Sequence, residues 1–195
     1  MAGILPSVAE PKRKATYDDV LAAPDGQVAE ILDGELILSP RPAMPHARAS
    51  SRIGFTISGG FDGPSQSSGK PGGWSILFEP ELHLSEDVVV PDLAGWRLEN
   101  LPEVPNAPWM DLAPDWLCET LSPSTVAIDR GRKLHIYARE GVRHLWLLDP
   151  IARTLEVLVL DRGRWSVVVV HTASERVRAE PFDAIELDLA RLWLD

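Results

Sequence analysis

Residues 116–121 read Trp-Leu-Cys-Glu-Thr-Leu, and what constrains the fold is that both alternating faces of this strand-like run are apolar. A strand buried on both faces lies inside a layered domain, between other elements. Glu119 stands in the middle of it with no obvious partner nearby. Taking a carboxylate out of water without a cation, a hydrogen-bonded partner or a metal costs on the order of several kcal/mol. Its position therefore demands an explanation.

The rest of the chain supplies the layers. Thr16 to Ala22 reads as a short helix, and the apolar runs either side of Asp33-Gly34 read as a hairpin. A helix is expected from His46 to about Ile57, followed by a Gly- and Ser-rich surface loop from Gly59 to Gly73. This loop does not match a phosphate-binding P-loop, because five residues rather than four separate Gly63 from Gly69, and Pro71 follows Lys70. Residues 74–84 and 88–96 read as two strands of one hairpin. With Glu86 and Asp87 as its turn, Glu81 lies opposite Asp92. A proline-rich connection leads into the strand of Glu119. Ser124 or Thr125 then caps a helix that runs to about Glu140, where Gly141 stops it. Strands are expected at 144–149, 154–160 and 164–171, the last two joined as a hairpin through Asp161 to Arg164, with a short closing segment at 185–195. No internal repeat is present. The simplest reading is one mixed α/β domain over residues 16–195 behind a flexible lead of residues 1–15.

Composition narrows the classes of function. A single Cys excludes an internal disulfide framework and a Cys-based zinc site. No pair among His46, His83, His135, His144 and His171 has the H-x₃₋₅-H spacing of zinc ligands. The longest apolar run, Trp-Ser-Val-Val-Val-Val, is far short of the ~20 residues a membrane helix needs. The first residues also lack the apolar core of a signal peptide, so a cytoplasmic protein without a membrane partner is expected. The net charge of −10, from 29 acidic and 19 basic residues, argues against avid, sequence-blind DNA binding. It leaves room for a nucleic-acid enzyme, because bound divalent cations locally invert the sign of an acidic site.

A second acid, Asp92, follows the apolar run Val88 to Val90 and Pro91. Either acid alone could lie near a strand end and reach solvent. Two acids on successive core strands together look like a divalent-metal site of hard oxygen ligands. Pro91-Asp92, then Glu119 on the next strand, resembles the PD-(D/E)XK nuclease signature. The segments "AEILDGELILSP" with His46, "VVVPDLAGW", "ETLSPST", "IDRGRKLHIYAREGV" and "HLWLLDP" are similar, in order, to the blocks of the Uma-two family of restriction-endonuclease-like proteins, over roughly residues 16 to 195. That resemblance implies a restriction-endonuclease-like core, a central mixed sheet flanked by helices, with the acids meeting at one edge to bind Mg²⁺ or Mn²⁺. It implies a metal-dependent endonuclease hydrolysing phosphodiester bonds, with DNA the expected partner. Asp92 and Glu119 would be the metal ligands, and a lysine would steady the attacking water or the developing charge. A homodimer is expected if both strands of a duplex are cut.

Two features depart from the signature. Pro114-Asp115 spells a second Pro-Asp, but Asp115 and Glu119 would share one strand, which leaves Asp92 the better candidate. Two positions after Glu119, where the signature has Lys, this chain has Leu121. A replacement can be sought on the following helix. The strand climbs about 13 Å from Glu119 to Pro123 at ~3.3 Å per residue, and the helix returns about 12 Å between Thr125 and Lys133 at ~1.5 Å per residue. The two residues are then level if helix and strand run antiparallel, and the match of "DRGRK" to the family block points the same way. The alternative is that Lys133 forms an ordinary surface pair with Asp129. Glu35 and Glu81 could add to the metal shell or simply be solvated, and His46 could approach phosphate or merely start a helix. Cys118 points away from Glu119, as a packing residue. The rival to a nuclease is a catalytically silent nucleic-acid-binding or regulatory module that keeps the fold, favoured by the acidic charge and the missing Glu-x-Lys.

Overall fold

The computed structural model describes residues 13–66 and 69–193. Residues 1–12, most of the expected lead, lie outside the described residues, as do 194–195 and, in the Gly-rich segment, Ser67 and Ser68. Helix α1 (Tyr17–Leu21) is held at its start by Asp19, which accepts the Thr16 N–H at 2.7 Å. Strands β1 (Gln27–Leu32) and β2 (Glu35–Pro40) form the expected hairpin. Its two-residue turn closes because Asp33 (φ 54°) and Gly34 (φ 78°) both adopt the left-handed conformation. Helix α2 (Met44–Phe61) outruns the expected end at Ile57. It continues through Gly59 and Gly60 because Phe61, only 3% exposed, reaches the core.

The next hairpin exists, but with a different register and a break in each arm. It comprises β3 (Trp74–Phe78), β4 (Leu82–Leu84), β5 (Asp87–Val89) and β6 (Leu93–Arg97). Pro80 and Pro91, which have no N–H to give to a ladder, mark the breaks. Leu84 pairs with Asp87, so the turn is Ser85-Glu86, with Ser85 at φ 58°, rather than Glu86-Asp87. This shift removes Glu81 from the place opposite Asp92. Glu79 stands there instead, its N–H donating to the Asp92 carbonyl at 3.0 Å.

Because of the breaks, the hairpin is shared between two sheets. Its β4–β5 part joins a four-stranded sheet of order β2-β1-β5-β4. Its β3–β6 part joins a six-stranded sheet, order β10-β9-β8-β7-β6-β3, with β7 (Trp116–Thr120), β8 (His144–Asp149), β9 (Thr154–Asp161) and β10 (Arg164–Thr172). Strands β7 and β8 run parallel and the other pairs antiparallel, so the central sheet is mixed. The parallel pair needs a crossover. Residues 126–139 provide it as α3 (Val126–Ile128), a π-helical turn (Asp129–Lys133) and α4 (Leu134–Arg139), ended by Gly141 at φ 78°. The expected closing segment supplies β12 (Leu187–Asp188), which pairs with β11 (Arg176–Val177) just upstream of it.

Strand β7 is covered on both faces, as its composition requires. Trp116 and Cys118 pack with Ile53 and Ile57 of α2, with Trp146 and with Phe182. Leu117 packs with Leu145 and Leu147, with Tyr137 of the crossover and with Leu32 and Leu84 of the smaller sheet. Burying each such Leu, Ile or Phe side chain contributes about 1.5–3 kcal/mol. The fold is mixed α+β, with a central mixed sheet and few helices. Among the described residues no helix is long and apolar enough to cross a membrane.

Candidate active site

Alternation along β7 sets the site. It turns Trp116 and Cys118 toward α2 and aligns Glu119 with Leu117 on the side of the crossover. There the Tyr137 hydroxyl donates to Glu119 Oε1, and Lys133 Nζ stands 3.0 Å from the same oxygen. Lys133 Nζ also lies 3.1 Å from Glu30 Oε1 and 3.8 Å from Asp129 Oδ1. The side chains of Lys133 and Glu119 are each 4% exposed, and Asp129 and Glu30 are equally buried. Lys133 and Asp129 are therefore not the solvated surface pair of the alternative reading. The π turn widens the helix where both face inward, a local irregularity often found at functional sites.

Glu30, 4% exposed, is a second buried carboxylate carried by a strand, β1. Its Oε1 also accepts the Val90 N–H at 2.8 Å. Val90 lies outside the strands, so its N–H needs a partner elsewhere, and Glu30 supplies it. The break at Pro91 then turns Asp92 toward β7. Asp92 Oδ2 accepts the Thr120 N–H at 2.7 Å, next to Glu119, while Oδ1 faces His46 Nε2 at 3.3 Å. His46 sits in the first turn of α2, and its Nδ1 is buried without a hydrogen-bond partner. Asp92, Glu119, Lys133 and His46 thus line one cleft of about 290 Å³, together with Glu30, Asp129 and Glu79.

Glu35 and Glu81 do not line it. Glu35, in the first position of β2, lies 2.7 Å from Arg132 outside the cleft. Glu81, moved off by the register shift, contacts His83 at 2.8 Å. Asp115 accepts from the Arg97 N–H and the Asn100 amide, each at 2.8 Å, and so braces the loop after β6. Leu121, at the signature's lysine position, is buried among apolar neighbours.

The cluster carries more negative charge than one ammonium neutralises. The net effect raises Glu119 to about 8: burial pushes it up most, Lys133 pulls it back, and Asp129 and Asp92 push it further. Burial works against the charge on Lys133, but Glu119, Glu30 and Asp129 outweigh it, and the net shift is well upward. Asp129 is raised by burial. The Tyr137 phenol is raised by burial and then by Glu119, which keeps it a proton donor. Burial opposes the His46 imidazolium, yet the contact with Asp92, helped by Asp129 and Glu79, raises it overall. Among the described residues no three His, Cys, Asp or Glu side chains are grouped so as to enclose a metal ion. The donors on offer are the hard carboxylate oxygens of Asp92 and Glu119.

Glu30 and Tyr137 escaped the sequence reading. The signal for Glu30 was the same as for Glu119, an acid inside an apolar strand. Tyr137 stands four residues after Lys133, on the same helix face.

The chain also has recognisable relatives. The model of the Uma2 family, described as "Putative restriction endonuclease", matches residues 15–190. A solved structure of a putative nuclease belonging to DUF820, from Anabaena variabilis ATCC 29413, shares the fold with a TM-score of 0.71. The likeness covers 91% of this chain and 97% of that chain at 21% sequence identity. No curated protein matches.

Proposed function

The chain belongs to the Uma2 family, and from that premise we propose that it is a metal-dependent endonuclease hydrolysing phosphodiester bonds, with DNA as its expected substrate. The observation that carries this reading is the convergence of Asp92, Glu119 and Lys133, from three separate segments, in one cleft.

Asp92 and Glu119 would hold Mg²⁺ or Mn²⁺. Two carboxylates suit Mg²⁺, which keeps several waters and leaves positions for phosphate oxygens. The surplus negative charge behind the raised Glu119 is what a dication would relieve. When bound, such an ion supplies activation of water and neutralisation of charge on the phosphate. Tyr137 and Lys133 both engage Oε1 of Glu119, which orients the carboxylate that would hold the ion. Lys133 replaces the lysine that Leu121 displaces. Its ammonium, fixed by Glu30 and Glu119, acts on the attacking water or the charge developing on phosphate. His46 adds a second positive group beside Asp92 when protonated.

The silent-module reading draws on the absence of a three-donor group and on the engagement of Lys133 with three carboxylates. A nuclease assay of the purified protein on single- and double-stranded DNA and RNA separates the two. Cleavage with Mn²⁺ or Mg²⁺ that EDTA abolishes is the expected result. No cleavage of any substrate, together with no calorimetric binding of either ion, would leave the silent module.

A further inference from the structure

The cleft has a side arm whose lining bears on the form of the substrate. This cavity of about 160 Å³ shares Pro42, His46, Glu79 and Asp92 with the main cleft and runs past Ser50 and Ser51 to Phe78. Phe78 ends β3 and is 51% exposed. Its ring edge rests on α2 at Gly54, where a Cβ would come within 2.2 Å of Phe78 Cε1. The helix has no side chain there, so the ring lies against it while half of the residue stays open.

We propose that this arm is the subsite for an unpaired nucleotide adjoining the scissile phosphate, so that the substrate is a single strand or a single-stranded segment of a larger nucleic acid. The inference rests on the nuclease reading of the cleft. A paired base has both faces covered by its neighbours in the stack, so stacking an aromatic ring on it requires the duplex to be kinked and partly unstacked. An unpaired base offers a whole face, and stacking on a ring tolerates any sequence. The depth of the site agrees. Asp92 and Glu119, with side chains 12% and 4% exposed, are recessed among the residues that line the cleft, which a flexible single strand reaches more easily than a stiff duplex.

The test is fluorescence anisotropy of the full chain in EDTA, where nothing is cut, with a labelled oligothymidylate and a hairpin duplex of equal nucleotide count. Wild type should prefer the single strand. Phe78→Leu, which keeps an apolar side chain but loses the flat face, should weaken that binding by about ten-fold. Phe78→Trp should restore it, with melting temperature and elution volume unchanged in both variants. Equal single-strand affinity in wild type and Phe78→Leu would overturn the proposal, as would no measurable single-strand binding. Conversion of a dimer to monomer by Phe78→Leu would also overturn it, by making Phe78 a contact between copies. Failure of the nuclease reading is distinguishable: Phe78-dependent binding without cleavage would remove only the chemistry, whereas cleavage with Phe78-independent binding would remove only the subsite.

Discussion

Arg132 and Lys133 are neighbours in one π-helical turn, and each is close to a carboxylate. Arg132 Nη1 lies 2.7 Å from Glu35, with the two side chains 44% and 48% exposed, whereas Lys133 Nζ lies 3.0 Å from Glu119 with both side chains 4% exposed. The distances hardly differ; access to water does. Water and salt screen the outer pair, which is worth about 0–1 kcal/mol. The inner lysine has exchanged its hydration for three carboxylates, and removing it leaves negative charge that cannot relax into solvent. Proximity alone therefore does not mark a functional charge. Roughly a quarter turn of helix between sequence neighbours is enough to separate a surface tether from a candidate catalytic group.

The contrast can be broken at either end. The largest effect is expected for Lys133→Ala, which should slow cleavage by about 10²–10³-fold while calorimetric Mn²⁺ affinity stays close to wild type. Cleavage at the wild-type rate would make Lys133 as dispensable as its neighbour.

Next comes pH. Folded Glu119 keeps its proton up to about 8, whereas an ordinary glutamate releases it near 4.5. Between those values the folded state binds more protons than the unfolded one, so the contribution of Glu119 to stability falls as pH rises. In the metal-free protein Glu119→Gln should be clearly the more stable at pH 8, with the difference largely gone at pH 4.5. Urea unfolding at the two pH values measures it, and a less stable Glu119→Gln at pH 8 would mean that the Lys133 contact outweighs the surplus of acids.

A smaller loss, about 1 kcal/mol, is expected for Asp115→Ala, whose carboxylate braces the loop after β6. Its cleavage rate should not change, and a collapse in rate would return the second Pro-Asp to the site. Smallest is Arg132→Ala, within about 0.5 kcal/mol in stability and unchanged in rate. A large loss in either would erase the distinction between the two cations.

Much of the scaffold was legible where local chemistry decides it. Asp33-Gly34 and Arg162-Gly163 close their hairpins with left-handed turn conformations, and Gly141 ends the crossover in the same way. The approach of Lys133 to Glu119 was legible from strand and helix rises once the helix was taken to return antiparallel to the strand, with the family resemblance of "DRGRK" pointing the same way. What stayed hidden depends on distant partners. The turn Ser85-Glu86 needs a positive φ at a serine, which no glycine announces, and the resulting shift exchanged Glu81 for Glu79. Glu30 joins the site through Val90 and Lys133, remote in sequence. The π turn leaves no compositional mark, so Asp129 read as a partner on the surface although it is 5% exposed.

The most direct test of the central claim is the initial rate of nucleic-acid cleavage by Glu119→Gln beside wild type, in Mn²⁺ and with folding verified by circular dichroism. If Glu119 is a ligand of the catalytic ion, the variant folds and its metal-dependent cleavage disappears. Metal-dependent cleavage by Glu119→Gln at the wild-type rate would contradict the account.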